Sequence, residues 1–69
     1  MTNTDHITHG MSAMLKSLGF EAMAKGVIGE SNTETLTKYA RVIVKNSPKA
    51  SRQRLLELFN SQNLYPVIG

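Results

Sequence analysis

The sequence contains no cysteine and no tryptophan, and only two prolines among its 69 residues. The absence of cysteine excludes disulfide bonds and thiolate metal ligands. A chain this short buries a small share of its surface, and small domains commonly gain stability from disulfides, a metal or a second subunit. Because disulfides are excluded and thiolate metal ligands are missing, we expect the chain to gain stability by self-association as a homodimer. Each subunit is expected to be one domain spanning residues 1–69.

Long hydrophobic runs are also missing. No apolar run approaches the roughly 20 residues that cross a bilayer, and the polar start MTNTDHITHG lacks the charged-then-apolar order of a secretory signal. We therefore expect a soluble cytoplasmic protein with no membrane partner.

The chain has only two histidines, His6 and His9. A nucleophile needs an activating base, and neither histidine stands near a glycine-rich elbow or a carboxylate other than Asp5. His6, His9 and Asp5 could also hold a metal, but three ligands from one terminus leave the site incomplete. Solvated polar side chains are the favoured interpretation, so we predict no catalytic residue, no metal and no cofactor.

Apolar residues recur at spacings of three and four in four segments, which is the pattern of helices with one buried face. An all-α fold follows, a compact domain of three to four helices with a helix-turn-helix-like core. The predicted helices cover about 4–18, 20–28, 32–46 and 48–60, and an extended tail covers 63–69.

Residues at the helix ends support these boundaries. Gly19 suits the left-handed position that follows a helix, and Gly29 ends the second helix. Ser31 and Glu34 have the spacing of a capping box at the start of the third helix. Ser47 and Pro48 offer the fourth helix an N-cap followed by a proline at its first position. In that fourth helix we expect four side chains to face inward, with the stem of Arg52 over the core edge: Leu55, Leu56, Leu58 and Phe59.

The third helix has an unusually wide apolar face. Leu36, Ala40 and Ile43 form its centre, and further apolar residues widen the arc to about 200°. That is too wide for packing on one neighbour, so this helix is either central in the fold or half of a dimer interface.

Tyr39 lies where the apolar arc of this helix meets its polar face. Tyrosine is enriched among residues that dominate binding energy, because it combines a large area with a polar tip. The alternative is a tyrosine packed at the core edge with its hydroxyl in water. We expect partner binding around this position, by Glu34, Thr35, Tyr39, Val42 and Asn46.

Positive charge is concentrated in the second half of the chain. No acidic residue lies between Glu34 and Glu57, whereas six cations do. A solvated face is the common meaning of such a run, and attraction to an acidic partner is the functional alternative. We predict a basic face made by Lys38, Arg41, Lys45, Lys49 and Arg52.

The second and third predicted helices together have a partial helix-turn-helix pattern. As a recognition helix, the third would direct Asn32, Thr33 and Thr35 towards base edges. Two features weaken this interpretation: Asn32 stands where an apolar residue usually locks the two helices, and the helix is apolar over more than half its circumference. A fold that has lost DNA binding fits equally well, and nucleic acid is the less favoured partner.

Taken whole, the sequence resembles the anti-quorum-sensing anti-activator proteins of Mu-like temperate phages of Pseudomonas. The similarity runs from MTNTDHITHGMSAMLKSLGFEAMAKGVIG through ESNTETLTKYARVIVKN to the terminal YPVIG, and includes the length. It lies in the overall sequence and not in one diagnostic motif.

The resemblance implies a phage protein that inhibits host proteins in the bacterial cytoplasm by binding them. The implied partners are the LuxR-type quorum-sensing transcriptional activator (LasR) and the type IV pilus assembly ATPase (PilB). Inhibition of the ATPase would stop pilus extension and exclude superinfecting phages. The alternative function is a small helix-turn-helix DNA-binding regulator of phage transcription.

Overall fold

The computed structural model describes residues 3–66, with side chains from residue 7 onward. Within that range the chain is all-helical and has no strand, as the periodicity predicts. Each helix end lies within one residue of its predicted position. The helices are α1 (Asn3–Ser17), α2 (Glu21–Val27), α3 (Thr33–Asn46) and α4 (Lys49–Ser61). None of them has the length and apolar character needed to span a membrane.

Helix α3 is the centre of the fold, because it packs against α1, α2 and α4. Three neighbours account for its wide apolar arc without a second subunit. The most extensive helix contact joins α1 to α2, where the Ser12 hydroxyl donates a hydrogen bond of 2.7 Å to the Ala24 carbonyl oxygen. The buried apolar core draws on every helix and the tail, and comprises Ile7, Met11, Leu15, Ala24, Val27, Leu36, Ala40, Ile43, Val44, Phe59 and Leu64.

The two predicted glycine stops are confirmed. Gly19 has φ +91°, and its N–H donates to the Lys16 carbonyl while the Phe20 N–H reaches back to Leu15, which is the Schellman arrangement. Gly29 has φ +81° and is the third residue of a type II turn closed by a 3.1 Å bond from the Glu30 N–H to the Val27 carbonyl.

Ile28 does not follow the apolar pattern of the second helix. The spacing of Phe20, Met23, Ala24, Val27 and Ile28 predicts that all five share one buried face, but the side chain of Ile28 is 44% exposed. It lies outside the helix with extended backbone (φ −64°, ψ 126°), at the turn position before Gly29. The turn directs it away from the core.

The capping box predicted from Ser31 and Glu34 is wrong. The N-cap is Asn32, whose side-chain oxygen accepts from the backbone N–H groups of Glu34 (2.9 Å) and Thr35 (3.2 Å). The Glu30 carboxylate accepts from the N–H groups of Ser31 and Asn32. The helix therefore begins one residue later than predicted, because asparagine satisfies its first free donors.

The predicted N-cap role of Ser47 is also wrong. Ser47 is the C-cap of α3: its hydroxyl donates to the Ile43 carbonyl (2.6 Å) and its N–H to the Val44 carbonyl (3.3 Å). Pro48 then occupies the N-cap position of α4, with no side-chain cap. The two helices are joined by these two residues alone.

Only part of the predicted inner face of α4 is buried. Phe59 is fully buried, Leu55 and Leu56 are half-buried against the core, and Leu58 is 38% exposed. Leu58 lies about 100° from Phe59 around the helix, which places it beyond the edge of the contact.

The tail departs from the helix by a second Schellman motif, which was not predicted. Asn63 takes the left-handed position with φ 63°, and its N–H donates a hydrogen bond to the Asn60 carbonyl oxygen. The Leu64 N–H donates a 2.9 Å hydrogen bond to the Phe59 carbonyl oxygen. Leu64 and Pro66 are buried, so the tail is packed as far as the structure describes it. The predicted extended segment 67–69 lies outside the described residues.

Candidate protein-binding surface

Four of the predicted partner-binding residues form one stripe along α3. Thr35, Tyr39, Val42 and Asn46 follow at spacings of four, three and four, which places them within an arc of about 60° over about 16 Å of helix. We call these four residues the Tyr39 stripe. The first three are half-buried and Asn46 is exposed. The stripe thus lies at the edge of the packed face.

Tyr39 reaches across to α2. Its hydroxyl oxygen lies 3.0 Å from the position that a Cβ atom would occupy on Gly26. Since glycine has no side chain, the phenol ring can lie close to the α2 backbone there. Tyr39 packs against the core and is half-buried, so part of its side chain stays accessible.

Asn46 ends the stripe as a polar residue tied to its own helix. Its side-chain amide donates a 2.8 Å hydrogen bond to the Val42 carbonyl. This bond orients the side chain, and the amide oxygen stays available to a donor from outside, since no described residue donates to it.

Glu34, the fifth predicted partner-binding residue, is not on the stripe. It is exposed in the first turn of α3, about 100° around the helix from Thr35. Negative charge there is favourable to the helix dipole. The structure therefore places Glu34 beside the cations of α3 and not with Tyr39.

The predicted basic face is only partly as expected. Lys38, Arg41 and Lys45 are exposed within about 60° of one another, and Lys49 is exposed at the start of α4. Arg52 is half-buried, and its guanidinium donates to the carbonyl oxygens of Lys45 (3.2 Å) and Ser47 (3.4 Å). Arg52 therefore holds the C-terminus of α3 through its guanidinium, and the packing of its stem over the core edge stays a prediction.

A second apolar surface was missed by the sequence analysis. Helices α1 and α4 both pack on α3 but make no close backbone approach to each other in the described chain, which leaves an open groove. Leu58, predicted to face inward, lines this groove together with Met14, Arg54 and Leu55. The one sequence signal for this groove is the angular position of Leu58 on α4, about 100° from the buried Phe59.

The structure describes the side chain of one of the two histidines. His9 is exposed, and the side chains of Asp5 and His6 are outside the described part of the chain. Among described residues, no three histidine, cysteine or acidic side chains come together in a group that could hold a metal ion.

Comparisons with known proteins place the chain in no family: no family model matches it, and no curated protein or solved structure is significantly similar to it.

Proposed function

We propose that this protein acts by binding and not by catalysis, as a phage-encoded inhibitor of host proteins in the bacterial cytoplasm. Its chief target is the LuxR-type quorum-sensing activator, which it keeps from activating transcription. The sequence resemblance supplies the identity of the target, and the surface chemistry of α3 supplies the binding site.

The observation that carries this proposal is the Tyr39 stripe, in which three of the four side chains are half-buried. Tyr39 and Val42 present an aromatic and an aliphatic group three residues apart, at the edge between the packed and the exposed sides of the helix. Thr35 and Asn46 flank them with polar groups at either end. Tyrosine is enriched among the hot spots of protein interfaces, and the contacts around a hot spot add little energy but exclude water, so Tyr39 is the anchor of this surface and its neighbours surround it.

The spacing of the stripe also matches a known mode of recognition. A helix that lies in a groove of its partner uses residues at i, i+3, i+4 and i+7 as anchors. Because Tyr39 is held against α2, its ring loses little conformational entropy on binding, which favours affinity.

The pilus assembly ATPase is the proposed second target, bound through a different surface. The α1–α4 groove around Leu58 is made by residues other than those of the Tyr39 stripe, so one small chain can offer two binding surfaces. Inhibition of this ATPase would block pilus extension and exclude superinfecting phages.

We also propose that the protein is a homodimer, and light scattering that gives a monomer mass at micromolar concentration would exclude this.

Calorimetric titration of the purified activator tests the chief proposal. Asn46→Arg places a long side chain on the stripe at an exposed position, where it does not disturb the core. Gln53→Arg adds the same side chain at an exposed position of α4 and is the matched control. We expect Asn46→Arg to weaken binding by about tenfold or more, equivalent to about 1.4 kcal/mol, and Gln53→Arg to leave it unchanged.

Equal affinity of the two variants would remove the stripe from the interface, and absence of binding by the unmodified protein would remove the proposed target.

The alternative function, a helix-turn-helix regulator, draws support from the order α2, turn, α3 with Thr33 exposed at the start of α3. Tight binding to one DNA sequence over unrelated sequences would favour that alternative.

A further inference from the structure

The outer side of α3 carries a line of cations that the proposed protein contact does not use. Lys38, Arg41 and Lys45 are centred about 100° around the helix from the Tyr39 stripe and span about 10 Å along it. The guanidinium of Arg52 extends the line, since it lies 3.2 Å from the Lys45 carbonyl. We call these four residues the basic ridge.

Glu34 is the one acidic residue of α3 on the side of the ridge, and it forms no ion pair with the ridge cations. Among the described residues, none of its four cations forms an ion pair, and the first turn of α4 contains no acid. Like charges three or four residues apart on a helix repel and destabilise it. The fold therefore keeps an unfavourable cluster of positive charge, which an external polyanion would relieve.

The chemistry of the ridge distinguishes between kinds of polyanion. The large apolar residues that are exposed among the described side chains, Ile28, Leu58 and Tyr65, lie outside the ridge. A protein interface is centred on aromatic or aliphatic anchors and is depleted in lysine, and an interfacial membrane contact inserts apolar side chains. Phosphate groups of nucleic acid need neither, since lysine and arginine neutralise them directly.

We propose that the basic ridge binds the phosphate backbone of duplex nucleic acid, independently of base sequence. This activity differs from base recognition by the start of α3, where the Asn32 side-chain oxygen is engaged as the helix cap and Glu34 repels phosphate. It does not depend on the proposed protein target. Because stripe and ridge occupy different sides of α3, the two ligands can be bound by separate surfaces.

Fluorescence anisotropy with labelled DNA duplexes of about 20 base pairs, in two unrelated sequences and at about 50 to 200 mM salt, tests the proposal. With about four phosphates neutralised, the plot of log affinity against log salt should have a slope of about −3 to −4, equal for both duplexes. Two triple variants each remove three charges from a formal net charge of +3. On the ridge they are Lys38→Gln, Arg41→Gln and Lys45→Gln; away from it they are Lys16→Gln, Lys25→Gln and Arg54→Gln.

The ridge variant should lose most of the salt dependence, with a slope lower by about 2.7, whereas the other variant should keep its slope. All six positions are exposed, so both variants should keep the fold. Circular dichroism melting checks this, and the ridge variant should melt at the same temperature as the unmodified protein or slightly above it, because its like-charge repulsion is relieved. Equal slopes for the two triple variants would overturn the proposal, because net charge and not the ridge would then govern binding. A flat salt response, a preference for one duplex sequence, or binding to anionic lipid vesicles but not to duplex would also overturn it.

Discussion

The hydroxyl oxygen of Tyr39 lies over Gly26, 3.0 Å from the place where a Cβ atom would stand. This contact joins α2 to α3 at the centre of the proposed binding surface. A glycine inside a helix costs roughly 1 kcal/mol relative to alanine, and here the missing side chain makes room for the phenol. The orientation of Tyr39 therefore depends on a residue of another helix.

This relationship predicts that substitutions at the two positions are not additive. In the unmodified protein, Gly26→Ala should gain little or no stability, because the gain in helix propensity is offset by displacement of the Tyr39 hydroxyl. In a Tyr39→Phe background the nearest remaining ring atom, Cζ, is 4.0 Å away, so the same change should stabilise by roughly 1 kcal/mol. Urea unfolding of the four proteins in this double-mutant cycle measures the coupling, and an equal effect of Gly26→Ala in both backgrounds would refute the contact.

The start of α3 gives a second prediction. Asn32→Ala should destabilise by about 1 kcal/mol, since its side-chain oxygen satisfies two backbone donors. The control Ser31→Ala, one residue earlier at an exposed position, should stay within about 0.5 kcal/mol of the unmodified protein. Thermal unfolding of both variants decides, and the reverse order would restore the capping box predicted from the sequence.

The tail provides a third test. Leu64 is 2% exposed and Tyr65 is 61% exposed, although they are neighbours in sequence. Leu64→Ala should cost about 2–5 kcal/mol, enough to unfold much of so small a domain, because it removes a buried side chain from the core. Tyr65→Ala should have little effect. If chemical denaturation shows similar stability for the two variants, the tail does not pack as described.

The helices of this chain could be predicted because the 3.6-residue repeat of apolar groups and the two glycine stops act locally. The caps could not be assigned in the same way. Ser31, Asn32 and Ser47 are all suitable cap residues, and which one acts depends on the residue at which the first turn closes. Asn63 was missed because its left-handed backbone is stabilised by burial of Leu64, a tertiary contact.

The candidate site was predictable to a similar extent. Sequence spacing alone places Thr35, Tyr39 and Val42 together, because the geometry of a helix fixes which residues share a side. The contact of Tyr39 with Gly26 depends on how α2 crosses α3, and the exposure of Leu58 depends on the separation of α1 from α4. The first relationship leaves no signal in the spacing of residues along one helix, and the second leaves only the angular position of Leu58 on α4.

The central claim is that the host activator binds the Tyr39 stripe of α3, and NMR chemical-shift mapping tests it most directly. Unlabelled activator is added to the isotope-labelled protein, and the backbone amide signals are followed. Our account predicts that the largest changes occur at Thr35, Tyr39, Val42 and Asn46, with smaller changes at Gly26 behind the tyrosine ring. Changes confined to Met14, Leu55 and Leu58 in the α1–α4 groove, with α3 unaffected, would contradict it.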